Sequence, residues 1–208
     1  PAGFRLTVSI QTVGIRRGWG GLLHCNVDSP QARKNLFVPL TRNTVRTIDR
    51  TGGTFLHTSR TNPSNVLPKD VPEFMRGKDF DLDGKKPLDL TEQVLKNLDA
   101  LNIDVLVPIG GDDTLGYGAR LHDEHFPVVA IPKTMDNDVF GTDYCIGFST
   151  CVTRTIQMTN SLRTSAGSHE RFLVLEVFGR YAGFTAMLPA MAGAANRCVI
   201  PEYKFEIE

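Results

Sequence analysis

Apolar positions change their spacing along the chain, and the changes mark out elements. Residues 1–12 alternate apolar and polar, the period of a half-buried strand. The run GIRRGWGGLL, residues 14–23, reads as a glycine-punctuated turn around Trp19. A loop-rich region follows through TGGT at 51–54 and SRTNP at 59–63. Residues 68–87, rich in Asp, Lys, Gly and Pro, read as a surface excursion. Leu90, Val94, Leu95, Leu98 and Leu101 then share one helical face, with Asp89 and Glu92 spaced as a capping box at its start. Residues 104–109 form a short apolar run, the signature of a buried strand ended by Gly110-Gly111. A helix over 115–124, a strand over 128–131, a polar loop over 133–143 and a helix over 149–163 come next. They are followed by a strand over 172–177, a helix over 182–191 and a closing strand over 198–200.

Strands alternating with helices predict βαβ units and a mostly parallel α/β sheet. In such sheets ligands bind beyond the carboxyl ends of strands, which draws attention to the loops after Ile109, Ile131 and Val177. The composition adds bounds. With 208 residues, 41% hydrophobic and 22% charged, there is material for a sizeable core. The formal net charge is zero, which argues against a nucleic-acid or acidic-membrane partner. Cys25, Cys145, Cys151 and Cys198 show no CxxC pair and no histidine at ligand spacing, so reduced thiols of a cytoplasmic protein are expected. Neither a bilayer-spanning apolar run nor a signal-peptide layout is present.

The chemistry gathers at strand ends. In Gly110-Gly111-Asp112-Asp113-Thr114 the glycines admit a ligand close to the backbone, and the following helix offers free N–H groups to a phosphate. Asp112 there is a candidate Mg²⁺ ligand. The same residues also read as a turn followed by helix caps, and both readings stand. The loop 132–138 holds Lys133, Thr134, Asp136 and Asp138. A carboxylate suits deprotonation of an acceptor hydroxyl, and the cation and hydroxyl suit an anion beside it; an Asn/Asp turn with a solvated Lys is the plainer alternative. Two such loops on consecutive strand ends favour a functional site. Arg60, Arg171 and the Phe178-Gly179-Arg180 turn add guanidinium groups suited to phosphate, though each alone is an ordinary surface residue.

The runs GIRRGWGGLL, TGGTFLHTSRTNP, IGGDDTLGYGARL, PKTMDNDVFGTDYCIGF, SHERFLVLEVFGRYAG and CVIPE together resemble the phosphofructokinases, from about residue 14 to 202. The resemblance implies two related Rossmann-like domains with parallel sheets and flanking helices. A phosphoryl-donor domain would occupy residues 1–147, and 148–208 would begin the fructose 6-phosphate domain, incomplete in this chain. The family's opening glycine-rich phosphate loop and its C-terminal sugar-phosphate ligands have no counterpart here, so the chain is expected to be a fragment, inactive alone.

Carried over by position, Asp136 is the implied general base. Thr134 and Asp138 are implied to hold the reacting groups and sugar, and Gly111 and Asp112 the donor and its Mg²⁺. Arg60 is implied to stabilise charge on the transferred phosphoryl. Arg171 is implied to reach the sugar phosphate of a neighbouring subunit in a homodimer or homotetramer. Phe178 stands where the family usually has Met before Gly179-Arg180. Asp113 and Lys133 stand where the ATP-using branch usually has Gly. That pair implies pyrophosphate as donor: the Asp113 carboxylate repels an ATP α-phosphate, and Lys133 favours a compact anion. ATP-dependent phosphofructokinase is the near alternative, and a non-catalytic sugar-phosphate-binding chain the alternative of another class.

Overall fold

The computed structural model describes residues 10–77 and 85–206. Most of the strand expected over 1–12 therefore lies outside the described residues. The chain gathers into two units, one of residues 1–106 and 120–127, the other of 107–119 and 128–208.

The first unit opens with β1 (Val13–Ile15) and α1 (Gly18–Leu23). Where GIRRGWGGLL suggests only a turn, the structure has a helix. Glycine is a poor helix former, but tertiary packing overrides propensity here. Leu22 and Leu23 are completely buried, and a side chain on Gly20 would collide with Ser59 and Thr61. The Gly20 N–H donates to Ser59 Oγ at 3.0 Å, which ties this helix to the SRTNP loop. Next, α2 (Pro30–Leu36) leads directly into β2 (Phe37–Pro39), which pairs antiparallel with β1. The α2 start carried a local signal: Ser29 Oγ accepts from Ala32 N–H and Pro30 occupies the first turn. A short α3 (Arg42–Val45) follows, closed by a reciprocal Thr41–Thr44 cap.

Residues 68–77 are no mere surface excursion, because Val71, Pro72 and Met75 are buried. They share this unit's core with α4 (Thr91–Ala100), whose Val94, Asn97 and Leu98 are wholly enclosed. Asn97 keeps its burial satisfied by donating to the carbonyls of Leu22 (2.8 Å) and Cys25 (3.2 Å). The expected capping box does not form: Leu90 is the N-cap, Asp89 accepts from Thr91 N–H two residues on, and Glu92 pairs with Lys96 at 2.6 Å instead of reaching back.

The second unit holds a three-stranded parallel sheet in the order β3 (Ile109–Gly110), β4 (Ile131–Thr134), β5 (Ile146–Gly147). The run at 104–109 was expected to be buried on both faces. It is covered on one face only: Leu106, Pro108 and Gly110 are buried, whereas Val105, Val107 and Ile109 are exposed. Between β3 and β4 runs α5 (Asp112–Asp123), contributing residues to both units. After β5 come α6 (Phe148–Ser168) and α7 (Phe184–Met191), which meet edge to face through Phe148 and Phe184 at 6.2 Å. Strands expected over 172–177 and 198–200 are not formed, since neither segment has a strand partner among the described residues. The N-terminus of α7 is closed from far away: Glu202 Oε1 accepts from Gly183 N–H at 2.8 Å.

Helix ends follow one pattern. Asn102, His125, Glu170 and Gly193 are left-handed after α4, α5, α6 and α7 respectively. At each, paired amides bond back into the last turn, as in Arg171 N–H to Ala166 O (2.9 Å) and Glu170 N–H to Gly167 O (3.1 Å). No helix of the described residues is long and apolar enough to cross a membrane.

Candidate active site

The GGDDT loop is shaped by sterics at Gly110. A side chain there would stand 2.5 Å from Thr114 Oγ1, so the strand end and the first helical turn interlock. Helix α5 starts three residues before the expected 115, because Thr114 and Leu115 N–H both donate to the Gly111 carbonyl. Asp112 and Asp113 consequently occupy its first turn, exposed, where acidic side chains suit the positive helix end.

Strand β4 is shifted from the expected 128–131 to Ile131–Thr134, since Lys133 pairs with Ile146 and Thr134 with Gly147. The register of β3 against β4 places Gly110 beside Pro132. A side chain on Gly111 would sit 3.6 Å from Thr134 Cβ, so the two strand-end loops meet there.

Beyond Thr134 the chain turns sharply. Thr134 Oγ1 accepts from Asp136 N–H at 3.2 Å. Asn137 follows with φ 56°, and its side chain donates to Asp143 O at 3.0 Å and accepts from Cys145 N–H at 2.8 Å. Asp136 Oδ1 is buried and, among the described residues, without a hydrogen-bond partner. Burial pushes the Asp136 carboxyl above its ordinary value, the Asp138 charge pushes it further, and Arg180 opposes both. A partnerless, buried carboxylate oxygen amid such charges is ready to accept a proton from a hydroxyl brought to it.

Arg180 belongs to a turn that only glycine permits. Gly179 has φ 147°, and a side chain on it would stand 2.5 Å from Ala182 O. Thr185 Oγ1 donates to the Phe178 carbonyl across this turn. The Arg180 guanidinium lies 6.0 Å from the Phe178 ring centre and 5.6 Å from that of Tyr181. Thus Gly111, Thr134, Asp136, Asp138 and Arg180 are linked by contact or by charge within one unit. Arg171, also in that unit, is exposed just past the stop of α6. Arg60 lies in the other unit, exposed between Ser59 and Thr61 in the loop that Gly20 holds. The sequence reading gave Asn137 no role, although asparagine between two aspartates is well suited to a left-handed turn.

The phosphofructokinase family model matches residues 4–208. A pyrophosphate–fructose 6-phosphate 1-phosphotransferase of Streptomyces coelicolor is 40% identical over 196 residues, covering 94% of this chain and 48% of that protein. An ATP-dependent 6-phosphofructokinase 3 of the same organism is 34% identical over 198 residues, 95% of this chain and 49% of that protein. The chain thus spans about half the length of the curated relatives it matches. Among solved structures, the phosphofructokinase of Saccharomyces cerevisiae superposes with a TM-score of 0.71 at 21% identity, over 95% of this chain and 23% of that one. The pyrophosphate-dependent enzyme of Marinobacter aquaeolei gives 0.65 at 19%, over 94% and 45%. Those two likenesses agree on an α/β fold, and together with the family match over nearly every residue they establish that this chain belongs to the phosphofructokinase family.

Proposed function

We propose that this chain carries machinery for moving a phosphoryl group from pyrophosphate to the C1 hydroxyl of fructose 6-phosphate. The products are fructose 1,6-bisphosphate and phosphate, and the reaction with this donor is read as reversible. The observation that carries the reading is the buried, partnerless Oδ1 of Asp136 at the end of β4. In this role Asp136 takes the hydroxyl proton as that oxygen attacks phosphorus. Thr134 and Asp138 orient the reacting groups, and Arg180, Gly179, Phe178 and Arg171 bind the sugar phosphate. Arg60 and Lys133 offset negative charge on the transferred group.

Asp112 is the proposed contact for Mg²⁺. Among the described residues no three His, Cys, Asp or Glu side chains cluster as a metal site. An exposed single carboxylate fits magnesium all the same, because Mg²⁺ keeps several waters and is bound through one or two carboxylates plus substrate phosphates. When bound, the ion neutralises charge on the phosphoryl oxygens.

Pyrophosphate is favoured by Asp113 and Lys133. A carboxylate in the first turn of α5 repels the α-phosphate that ATP would place there, and pyrophosphate has none. ATP as donor is the second reading, favoured by relatives named for ATP at 34–38% identity. We further assign residues 1–147 to the donor domain and 148–208 to the sugar-phosphate domain, in a cytoplasmic homo-oligomer. Assay of the full-length protein with Mg²⁺, fructose 6-phosphate and either donor tests the function. Bisphosphate formation faster with pyrophosphate is expected; preference for ATP overturns the donor assignment, and no turnover with either overturns the reaction.

A further inference from the structure

The acidic loop between β4 and β5 carries Asp136 and Asp138, two carboxylates that repel each other. On its first side it is anchored by Thr134 Oγ1 accepting from Asp136 N–H. Its second anchor is Asn137. The carboxamide nitrogen donates to the Asp143 carbonyl, and the carboxamide oxygen accepts from the amide of buried Cys145. Cys145 leads straight into β5, which pairs with Lys133 and Thr134, and its carbonyl accepts from Phe148 N–H at the head of α6. Asn137 therefore ties the residue between the two carboxylates to the neighbouring strand. Its φ of 56° is tolerated by Asn and Gly better than by other residues. Either hydrogen bond alone would leave the loop free to pivot; a side chain that both donates and accepts fixes it at two points.

We propose that Asn137 is a positioning residue for phosphoryl transfer, bridging Asp143 and Cys145 so that Asp136 and Asp138 keep their placement at the end of β4. This rests on the assignment of Asp136 as the base. Asn137→Gly keeps the backbone conformation and removes both bonds. Asn137→Asp keeps the acceptor for Cys145 N–H, loses the donor to Asp143 O and adds a carboxylate.

In the full-length protein, Asn137→Gly is expected to lower kcat about 10- to 100-fold, as for a misplaced catalytic group, with KM for fructose 6-phosphate little changed. It lets water reach Asp136, so the acid limb of the kcat profile moves to lower pH. Asn137→Asp is expected to lose less kcat and move that limb to higher pH, because the added charge disfavours ionised Asp136. Amide hydrogen exchange gives a second readout: the Cys145 N–H, protected in wild type, becomes fast in Asn137→Gly and stays slow in Asn137→Asp. If both variants keep wild-type kcat and pH profile per folded molecule and differ only in thermal stability, the positioning role is overturned. If Cys145 exchange is unchanged in Asn137→Gly, the bridge is overturned whatever the activity. Asp136→Asn in parallel separates the two assignments: near-normal turnover there removes the base, whereas a dead Asp136→Asn beside an unaffected Asn137→Gly removes only this inference.

Discussion

Asp136 and Asp138 repel across a single intervening residue. After burial, which has the larger effect, the Asp138 charge holds the Asp136 carboxyl above its ordinary value of 3.8, with Arg180 pulling the other way. Such a group stores a conflict between stability and chemistry. Between pH 3.8 and its raised value the native state binds more protons than the unfolded chain, so stability falls as pH rises through that window. Asp136→Asn removes the penalty. It is expected to raise Tm at neutral pH, with the gain vanishing in acid below the ordinary carboxylate value. The same variant should lose about 10²–10⁴ in kcat while binding fructose 6-phosphate nearly normally. Calorimetry across pH and steady-state kinetics on one sample check both halves.

Donor choice is read by a reciprocal pair of variants. Asp113→Gly is expected to introduce or sharply raise ATP use, since it strips a carboxylate from the first turn of α5. Lys133→Gly should mainly cost pyrophosphate turnover, since the proposed site puts this cation beside the donor. Parallel assays with both donors decide; unchanged ATP use in Asp113→Gly rejects the charge gate.

Arg171 is exposed at the stop of α6, and the proposed homo-oligomer would have it reach a neighbouring subunit's sugar site. Arg171→Ala is expected to weaken fructose 6-phosphate binding, by as much as about 2–5 kcal/mol if the bound complex buries the charged pair. Hybrids of Arg171→Ala with Asp136→Asn subunits should recover part of the activity. Verified hybrids that stay dead would mean that each site is built by one chain.

Glu170 is left-handed at φ 52°, a backbone shape that costs a residue with a side chain about 1–2 kcal/mol. Replacing it by glycine is expected to stabilise the protein by about 0.5–1 kcal/mol after the added freedom of the unfolded chain is subtracted. The converse change, Gly179→Ala, puts a methyl against the Ala182 carbonyl and is expected to cost about 1–3 kcal/mol. Denaturant melts of the two variants should move in opposite directions.

Elements with a strong periodic stripe were legible. Helix α4 and helix α6 stand where Leu90 to Leu101 and Val152 to Leu162 place them, although Leu162 itself remains exposed. The two strand-end loops were legible as loops on neighbouring strands: each follows its strand as expected, and Gly111 meets Thr134. Helix α1 was hidden by its own glycines, which look like breakers until Ser59 and Thr61 arrive to pack on Gly20. Strand 172–177 was over-read: its apolar residues satisfy the strand pattern, but a strand also needs a hydrogen-bonding neighbour. Asn137 was passed over because a bridging role depends on Asp143 and Cys145, and no local pattern reveals which backbone groups a loop will bring to one carboxamide.

Helix α7 has no acidic residue in its own first turn and takes its cap from Glu202, nineteen positions downstream of Gly183. A ribosome releases the chain from the amino end at ~5–20 residues per second, so the carboxylate follows the helix by about one to four seconds. During that interval α7, apolar along most of its length, is in the nascent chain without the group that closes it. The helix is therefore completed in an order set by translation, and slow codons between Gly183 and Glu202 would lengthen the time a chaperone has to bind it.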